Sequence, residues 1–299
     1  MKYRLKHITE YAILRGLAGM FRVLSYEHAT ALGCKLADML HIVMRKRVIE
    51  AERRIRSVFG ESFSETDIKR IAYLSLRNFI LCYVDLFMAD RITPEKARQI
   101  CTLDDMFWKI LARSQQGEGT IIAAPHMGSW EMAITIARAH GLPIFSLAAG
   151  QHNPLVTAYI NKLRSAPGLE TVLRGNETGI QQIISLLKQG KAFAIMPDVR
   201  MRQHCIPVDF LGGKAHIGYG MAVFARRARV PVFICIPKRS NLTHHNLEFL
   251  PPVMPDNSLD FTSDITRITT TIMQLIEKEI RKAPEQWFWY NRRWILDPL

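Results

Sequence analysis

In the stretch "IIAAPHMGSWEM", Ile121 to Met132, a histidine and a glutamate stand five positions apart. Of the residues in this chain they are the pair best suited to acid–base chemistry. An imidazole titrates near neutrality, and it becomes a directed base when a carboxylate binds one of its nitrogens and leaves the other to take a proton. His126 follows an apolar run that reads as a strand, and Ser129 is a candidate helix N-cap. Glu131 would then lie in the first turn of that helix, close enough to hold and orient His126. Gly128 permits close backbone approach and unusual dihedrals. The helix N-terminus offers amide donors and a positive dipole end wherever negative charge develops. The pattern by itself is weak, since a strand-end histidine is as often structural as catalytic. No Gly-x-Ser-x-Gly motif occurs, and Cys101 and Cys205 lack an activating context. If the pair is catalytic, it would activate a substrate hydroxyl directly, without a covalent enzyme intermediate.

The elements that must position this pair divide the chain in two. Residues 1–100 read as helices. Leu14, Leu17, Ala18, Phe21 and Leu24 recur at helical spacing, as do Ala29, Leu32, Leu36, Met39, Leu40 and Val43. The second of these segments runs into Arg45, Lys46 and Arg47, followed by Arg53, Arg54 and Arg56. That is the composition of an amphipathic helix lying in a membrane interface, and equally of a bundle helix with a solvated basic face. Ser64 and Asp67 open a further helix as N-cap and capping-box partner. From residue 117 onwards, short apolar strands alternate with helices: strands at "GTIIAAP", "LPIFSLAA", "LETVL", "KAFAIMPD" and "VPVFICIP", and helices over 129–139, 153–164, 177–188, 217–229 and 263–282. "HNLEFLPPV" is a possible extension of the sheet. Such alternation predicts an α/β fold, a mostly parallel sheet flanked by helices, carrying an N-terminal helical region associated with a membrane. The expected division is 1–100 for the helical, membrane-interface region and 101–299 for the α/β core, with the break near 100–117.

Composition limits the partners. The chain has 299 residues, 48% of them hydrophobic, which suits a folded protein with ample core. Forty Lys and Arg against 27 Asp and Glu leave a net charge of +13, which favours anionic partners: nucleic acid, anionic lipid or an acidic carrier protein. The five cysteines are dispersed with no CxxC, arguing for a reducing compartment and against a disulfide framework or zinc site. His244-His245 and His204-Cys205 lack ligand spacing, so no metal is expected. The N-terminal apolar run is broken by Arg15 and Arg22, so neither a secretory signal nor a clean transmembrane helix is expected.

The ordered blocks of this sequence resemble the lipid A late acyltransferases (lauroyl and myristoyl) of the lysophospholipid acyltransferase superfamily, from about residue 10 to the end. The family's His-x4-Glu/Asp signature looks like His126-Met-Gly-Ser-Trp-Glu131. Its next block is similar to "NPLVTAYINKLRS", which carries Arg164. The third resembles "AFAIMPDVR" with "IPVDFLGGKA", which carries Asp198 and the turn at Phe210-Leu-Gly212. The C-terminal signature resembles "PEQWFWYNRRW". The chain departs from its relatives in having Pro125 before the histidine and Met-Gly-Ser after it, where they usually show Gly or Asn and Phe-Gly-Asn. Asp198-Val199-Arg200 stands where they commonly show Asp-Gln-Asp, a departure that concerns the substrate more than the reaction.

The resemblance implies acyl transfer from an acyl carrier protein thioester to a hydroxyl of a lipid A precursor, without a cofactor. In it His126 is the general base and Glu131 its orienting carboxylate. Arg164 is implied to contact a phosphate or the thioester oxygen, Asp198 to orient Arg164 or Arg200, and Arg200 with Arg202 to meet an anionic headgroup or the carrier's phosphopantetheine. Gly128 belongs to the same site, and Arg292 and Arg293 would face the acceptor phosphate. The implied location is the cytoplasmic face of the inner membrane, held peripherally or as a monotopic protein. A related reading takes acyl-CoA as donor and a lysophospholipid, ornithine lipid or glycolipid as acceptor. Trp287, Phe288, Trp289, Tyr290 and Trp294 suit either a membrane-interface belt or packing onto the core. Nucleic acid is disfavoured because no RNP-like strand, zinc finger or Gly-Lys-Ser loop accompanies the charge.

Overall fold

The computed structural model describes residues 3–148, 152–166, 168–173 and 177–296. Four long helices come first: α1 (Leu5–Arg22), α2 (Tyr26–Val43), α3 (Arg45–Phe59) and α4 (Glu65–Met88). The short helix α5 (Pro94–Ile100) leads into β1 (Cys101–Leu103) and α6 (Asp105–Gln115). The alternating part runs β2 (Thr120–Ala123), α7 (Trp130–Ala139), β3 (Ile144–Ala148), α8 (Pro154–Ser165), β4 (Glu170–Leu173), α9 (Glu177–Lys188) and β5 (Ala192–Ile195). A hairpin follows, β6 (Cys205–Phe210) and β7 (Gly213–Gly218), then α10 (Gly220–Ala228), β8 (Val232–Arg239), β9 (His245–Val253) and α11 (Phe261–Lys282).

The main sheet has the order β1-β9-β8-β2-β5-β3-β4, with every pairing parallel except β8 with β9. Its central strands β2 and β8 are buried on both faces, as parallel sheets require. Ile121 and Ala123 of β2 join one apolar cluster with α3, α4, α9, α10 and α11, whereas Ile122 joins the other with α1, α5, α6, α7 and α8. The N-terminal helices thus share cores with the sheet. Capping follows the sequence: the Ser64 hydroxyl oxygen accepts from the Asp67 amide and the Asp67 carboxylate accepts from the Ser64 amide, closing the capping box that starts α4.

Local differences from the sequence reading have simple causes. The helix expected from residue 217 begins at Gly220, because 213–218 pair with 205–210 as the hairpin. Leu211 and Gly212 close it at φ +51° and +79°, the two positive values that a two-residue type I′ turn needs. The basic run Arg45–Arg47 opens a separate helix, α3, instead of ending α2. Interval 100–117 is occupied by β1 and α6, the latter capped by Asp104, which also accepts the Phe249 amide. Ala149 of the expected "LPIFSLAA" strand lies outside the described residues.

Among the described residues one helix, Glu65–Arg91, is long and apolar enough to cross a membrane, yet 67% of its apolar window is buried in the protein. It is the core helix α4, and its buried polar groups meet partners within the fold. Tyr26 on α2 donates its hydroxyl proton to Asp85 on α4 (2.7 Å), and His245 Nε2 lies 2.9 Å from the same hydroxyl. With that hydroxyl proton committed, a neutral His245 protonated on Nε2 is the donor. Arg239 at the end of β8 pairs with Asp85, and both side chains are almost entirely buried.

Burial lowers the His245 pKa from 6.5 to about 3; Arg239 and His244 act in the same direction and Asp85 opposes them. The folded chain therefore holds a neutral ring where the unfolded chain takes up a proton. Between about 3 and 6.5 the unfolded state binds more protons, so stability falls as pH falls through that window. His245→Gln should flatten the dependence of Tm on pH across the upper part of this window, read by thermal melts. A slope as steep as that of the unmodified chain would assign the acid sensitivity to another group.

Candidate active site

The register of the two central strands builds the site. Ala123 of β2 pairs in parallel with Ile195 of β5, and the Ala124 amide donates to the Ile195 carbonyl. His126 and Asp198 each lie three residues beyond that pair, so the two strands deliver them side by side at their carboxyl ends. The Nδ1 of His126 is 2.8 Å from Asp198 Oδ1, and the His126 amide donates to Oδ2 at 2.7 Å. The indole of Trp287 donates to Oδ2 as well, at 2.8 Å. Burial alone would raise the Asp198 carboxyl, but the His126 ring, the His126 amide and the Trp287 indole outweigh it and hold its pKa below the ordinary value. An ionised Asp198 fixes Nδ1 as the protonated nitrogen and leaves Nε2 as the one that can take a proton.

Glu131 has a different partner from the one the sequence suggested. Its carboxylate is held by Arg164 of α8 in a two-pronged ion pair, with Arg164 Nε at 3.1 Å from Oε2 and Nη2 on Oε1. The turn through Gly128 and the Ser129 cap starts α7, which packs on α4, and turns Glu131 towards Arg164 of α8, while His126 stays with Asp198 at the sheet. Burial tends to lower Arg164, and Glu131 more than offsets it, so the guanidinium is raised and stays charged. Asp198, expected to orient Arg164 or Arg200, orients His126 instead. Arg200 bridges to Ile217 and donates to the Leu296 carbonyl at 3.2 Å.

The C-terminal segment forms the other wall. Phe288 N–H donates to the His126 carbonyl (2.9 Å), and Met127 bridges to Trp287. A small cleft opens here, lined by His126, Asp198, Trp287, Phe288, Asn291 and Trp294. Trp287, Trp289 and Tyr290 are buried, which settles their role as core and not as a membrane belt. Arg292 and Arg293 are exposed, on the segment between Asn291 and Trp294, which both line the cleft. The ring of Trp130 meets His126 edge-on, and Phe79 stacks on Phe288 beside it.

Several contributors were not singled out from sequence. Arg54 on α3 donates to the carbonyls of Trp289 (2.9 Å) and Asn291 (2.7 Å), and lies over the Trp294 ring. It holds the rim loop from a helix more than 230 positions away, and no local signal distinguishes it from the neighbouring surface arginines. Burial pushes the Cys101 thiol up to about 12 and the Cys82 thiol well above its usual value, which disfavours either as a nucleophile. Among the described residues no group of three or more His, Cys, Asp or Glu could hold a metal ion.

Gly128 has φ +54°, and a Cβ there would lie 2.2 Å from the Pro237 carbonyl oxygen. Its amide donates to the Gln286 carbonyl at 2.9 Å. Gly128→Ala should therefore displace the histidine turn from β8 and abolish activity, with poor soluble yield. A soluble, fully active variant would show that this approach is not required.

Residues 1–295 match the family described as bacterial lipid A biosynthesis acyltransferase. The chain is 23% identical over 291 residues to lipid A biosynthesis palmitoleoyltransferase of Escherichia coli strain K12, covering 95% of this chain and 90% of that protein. It is 24% identical over 233 residues to phosphatidylinositol mannoside acyltransferase of Mycobacterium tuberculosis, covering 75% and 70% respectively. The chain belongs to the bacterial lipid A biosynthesis acyltransferase family and is an acyltransferase.

Proposed function

We propose that the protein transfers a fatty acyl chain from an acyl carrier protein thioester to a hydroxyl of a lipid A precursor, with His126 as general base oriented by Asp198. The observation that carries this reading is the buried Asp198 on Nδ1 of a partly exposed His126 that lines the cleft. Nε2 takes the hydroxyl proton as the substrate oxygen attacks the thioester carbonyl carbon. The tetrahedral intermediate then collapses, the C–S bond breaks, and the thiolate leaves with the proton from Nε2. Asp198 stabilises the transient imidazolium through Nδ1. Such general-base assistance contributes on the order of 10²–10⁴-fold, so positioning and stabilisation of the oxyanion supply the remainder.

Glu131 serves by fixing Arg164, whose partly exposed guanidinium is suited to an anionic group of either substrate. Arg292 and Arg293 at the rim, with Arg200 behind the hairpin, extend that positive field towards a phosphorylated acceptor or the carrier's phosphopantetheine. The net charge of +13 suits both an acidic carrier and an anionic bilayer. The likeness to a phosphatidylinositol mannoside acyltransferase supports a second reading of the acceptor, a phosphorylated glycolipid other than lipid A.

Helix α1 supports membrane association. Its inner face buries Ala18 and Phe21, but its outer face is also apolar: Leu5, Ile8, Ile13 and Met20, with Val23 just past the end, are all exposed. Ala12, Gly16 and Gly19 fill the gaps between them, and Arg15 and Arg22 flank the strip. A helix apolar on both sides, with arginines at its flanks, suits a position in the interface plane among anionic headgroups. The cytoplasmic face of the inner membrane is where carrier and acceptor would meet.

His126→Ala should lower acyl transfer by roughly 10²-fold or more with the fold and vesicle binding intact; turnover within a few fold of the unmodified chain would refute the base. Mass spectrometry of lipid A from a strain lacking the protein should show a missing secondary acyl chain, and unchanged lipid A with an altered glycolipid would favour the second acceptor. The paired change Ile8→Glu and Ile13→Glu should release the protein from anionic phospholipid vesicles in sedimentation assays. Undiminished binding would exclude the outer face of α1 as the contact.

A further inference from the structure

Helix α4 carries a line of polar side chains at helical spacing along its buried length: Ser75, Asn78, Cys82 and Asp85. Each faces one of the two segments that form the catalytic cleft. Ser75 Oγ donates to the Trp287 carbonyl (2.5 Å) and accepts the Trp289 amide (3.2 Å), and Asn78 donates to the Glu285 carbonyl (3.0 Å). Cys82 lies against Ser129 and the backbone of Glu131. At the far end, Asp85 Oδ2 accepts the hydroxyl proton of Ser129 at 2.5 Å.

That last contact reaches into the histidine turn. Ser129 stands between His126 and Glu131, and its hydroxyl oxygen caps α7 by accepting the Met132 amide at 3.3 Å. Because Asp85 takes the hydroxyl hydrogen, the lone pairs of Ser129 are turned towards the helix start. Arg239 neutralises Asp85 and, through its backbone, exchanges two hydrogen bonds with the side chain of Gln286 (3.1 and 3.2 Å). The carbonyl of Gln286 in turn accepts the Gly128 amide. The turn is therefore gripped on both sides of Gly128 by one buried group of charges. A hydrophobic helix alone would bury the same area without holding Asp85, which requires both its cation and its donors.

We infer that Asp85 is a positioning residue for the transfer reaction, acting through Ser129 to fix the start of α7 and hence the geometry between His126 and the Glu131–Arg164 pair. This rests on His126 being the base. Displacing a catalytic group by a fraction of an ångström to 1 Å costs up to about 10²-fold in rate without loss of binding.

Steady-state kinetics and thermal melts of the full-length protein in detergent test it, with the acyl carrier protein thioester and lipid A precursor as substrates. Ser129→Ala leaves the Asp85–Arg239 pair intact and is the informative variant. It should melt as one cooperative unit, lose roughly ten- to a hundredfold in kcat, and keep KM for both substrates within about twofold. Asp85→Asn should lose at least as much kcat, and combining the two changes should add little further loss, because they act in series. Should Asp85→Asn fail to fold, Ser129→Ala alone decides. A folded Ser129→Ala with unmodified kcat overturns the inference, as does a loss that merely tracks the unfolded fraction. His126→Ala run alongside separates the two readings: activity surviving there refutes the base, whereas an inactive His126→Ala beside a fully active Ser129→Ala refutes the positioning role alone.

Discussion

The buried carboxylate of Asp198 is the contact on which the rest of the site depends. A desolvated negative charge is costly unless donors and a partner surround it. Here the His126 ring, the His126 amide and the Trp287 indole meet that need. Two of the donors come from the turn after β2 and the third from the C-terminal segment, so satisfying one carboxylate beyond β5 assembles three segments. The strand β2 supplies the histidine, β5 supplies the aspartate, and the C-terminal segment closes over both. The same contacts that lower the cost of burial also direct the imidazole, so the stability of this corner and its chemistry share one cause.

Around that centre the protein places several further charges in its interior, and each has a specific partner. Glu131 takes Arg164, Asp85 takes Arg239, and Asp264 takes Arg226 and Arg267. Asp85 with Arg239 ties α4 to the sheet, whereas Glu131 with Arg164 joins α7 to α8 and Asp264 with Arg226 joins α11 to α10. Helix α4 illustrates the division of labour: its apolar residues join both clusters, and its polar line meets the two segments of the cleft. Its composition is that of a membrane span, yet those polar groups have their partners within the protein. Among the described residues, α1 leaves an apolar strip exposed, and Met39, Ile42 and Val43 at the end of α2 are exposed as well.

The arginines show why residue type alone is a poor guide to role. Arg54 lies in a run that reads as a basic face, but it is buried and binds two backbone carbonyls of the rim loop. Arg53, its neighbour, is exposed and pairs with Glu50 on the same helix. The aromatic cluster at the C-terminus behaves similarly. Trp287 and Trp289 suited an interface by composition, and the fold spends them on the core and on the hydrogen bond to Asp198.

Much of the fold was legible in the sequence because its signals are local. Apolar runs at the strands, the Ser64–Asp67 capping box, the Ser129 cap and the helical periodicities each depend on residues within one or two turns. The family blocks likewise marked His126, Glu131, Arg164 and Asp198 as members of one site. How those four are paired was not legible. Sequence proximity suggested His126 with Glu131, but five residues spanning a glycine turn and a helix start send the two side chains to different neighbours. The pairing of His126 with Asp198 follows from the parallel register of β2 and β5, strands separated by 68 residues that include β3 and β4. The sequence by itself determined which elements form and which side chains gather at the strand ends; only the tertiary structure decided which carboxylate meets the imidazole, because register between distant strands is set by packing of the whole sheet.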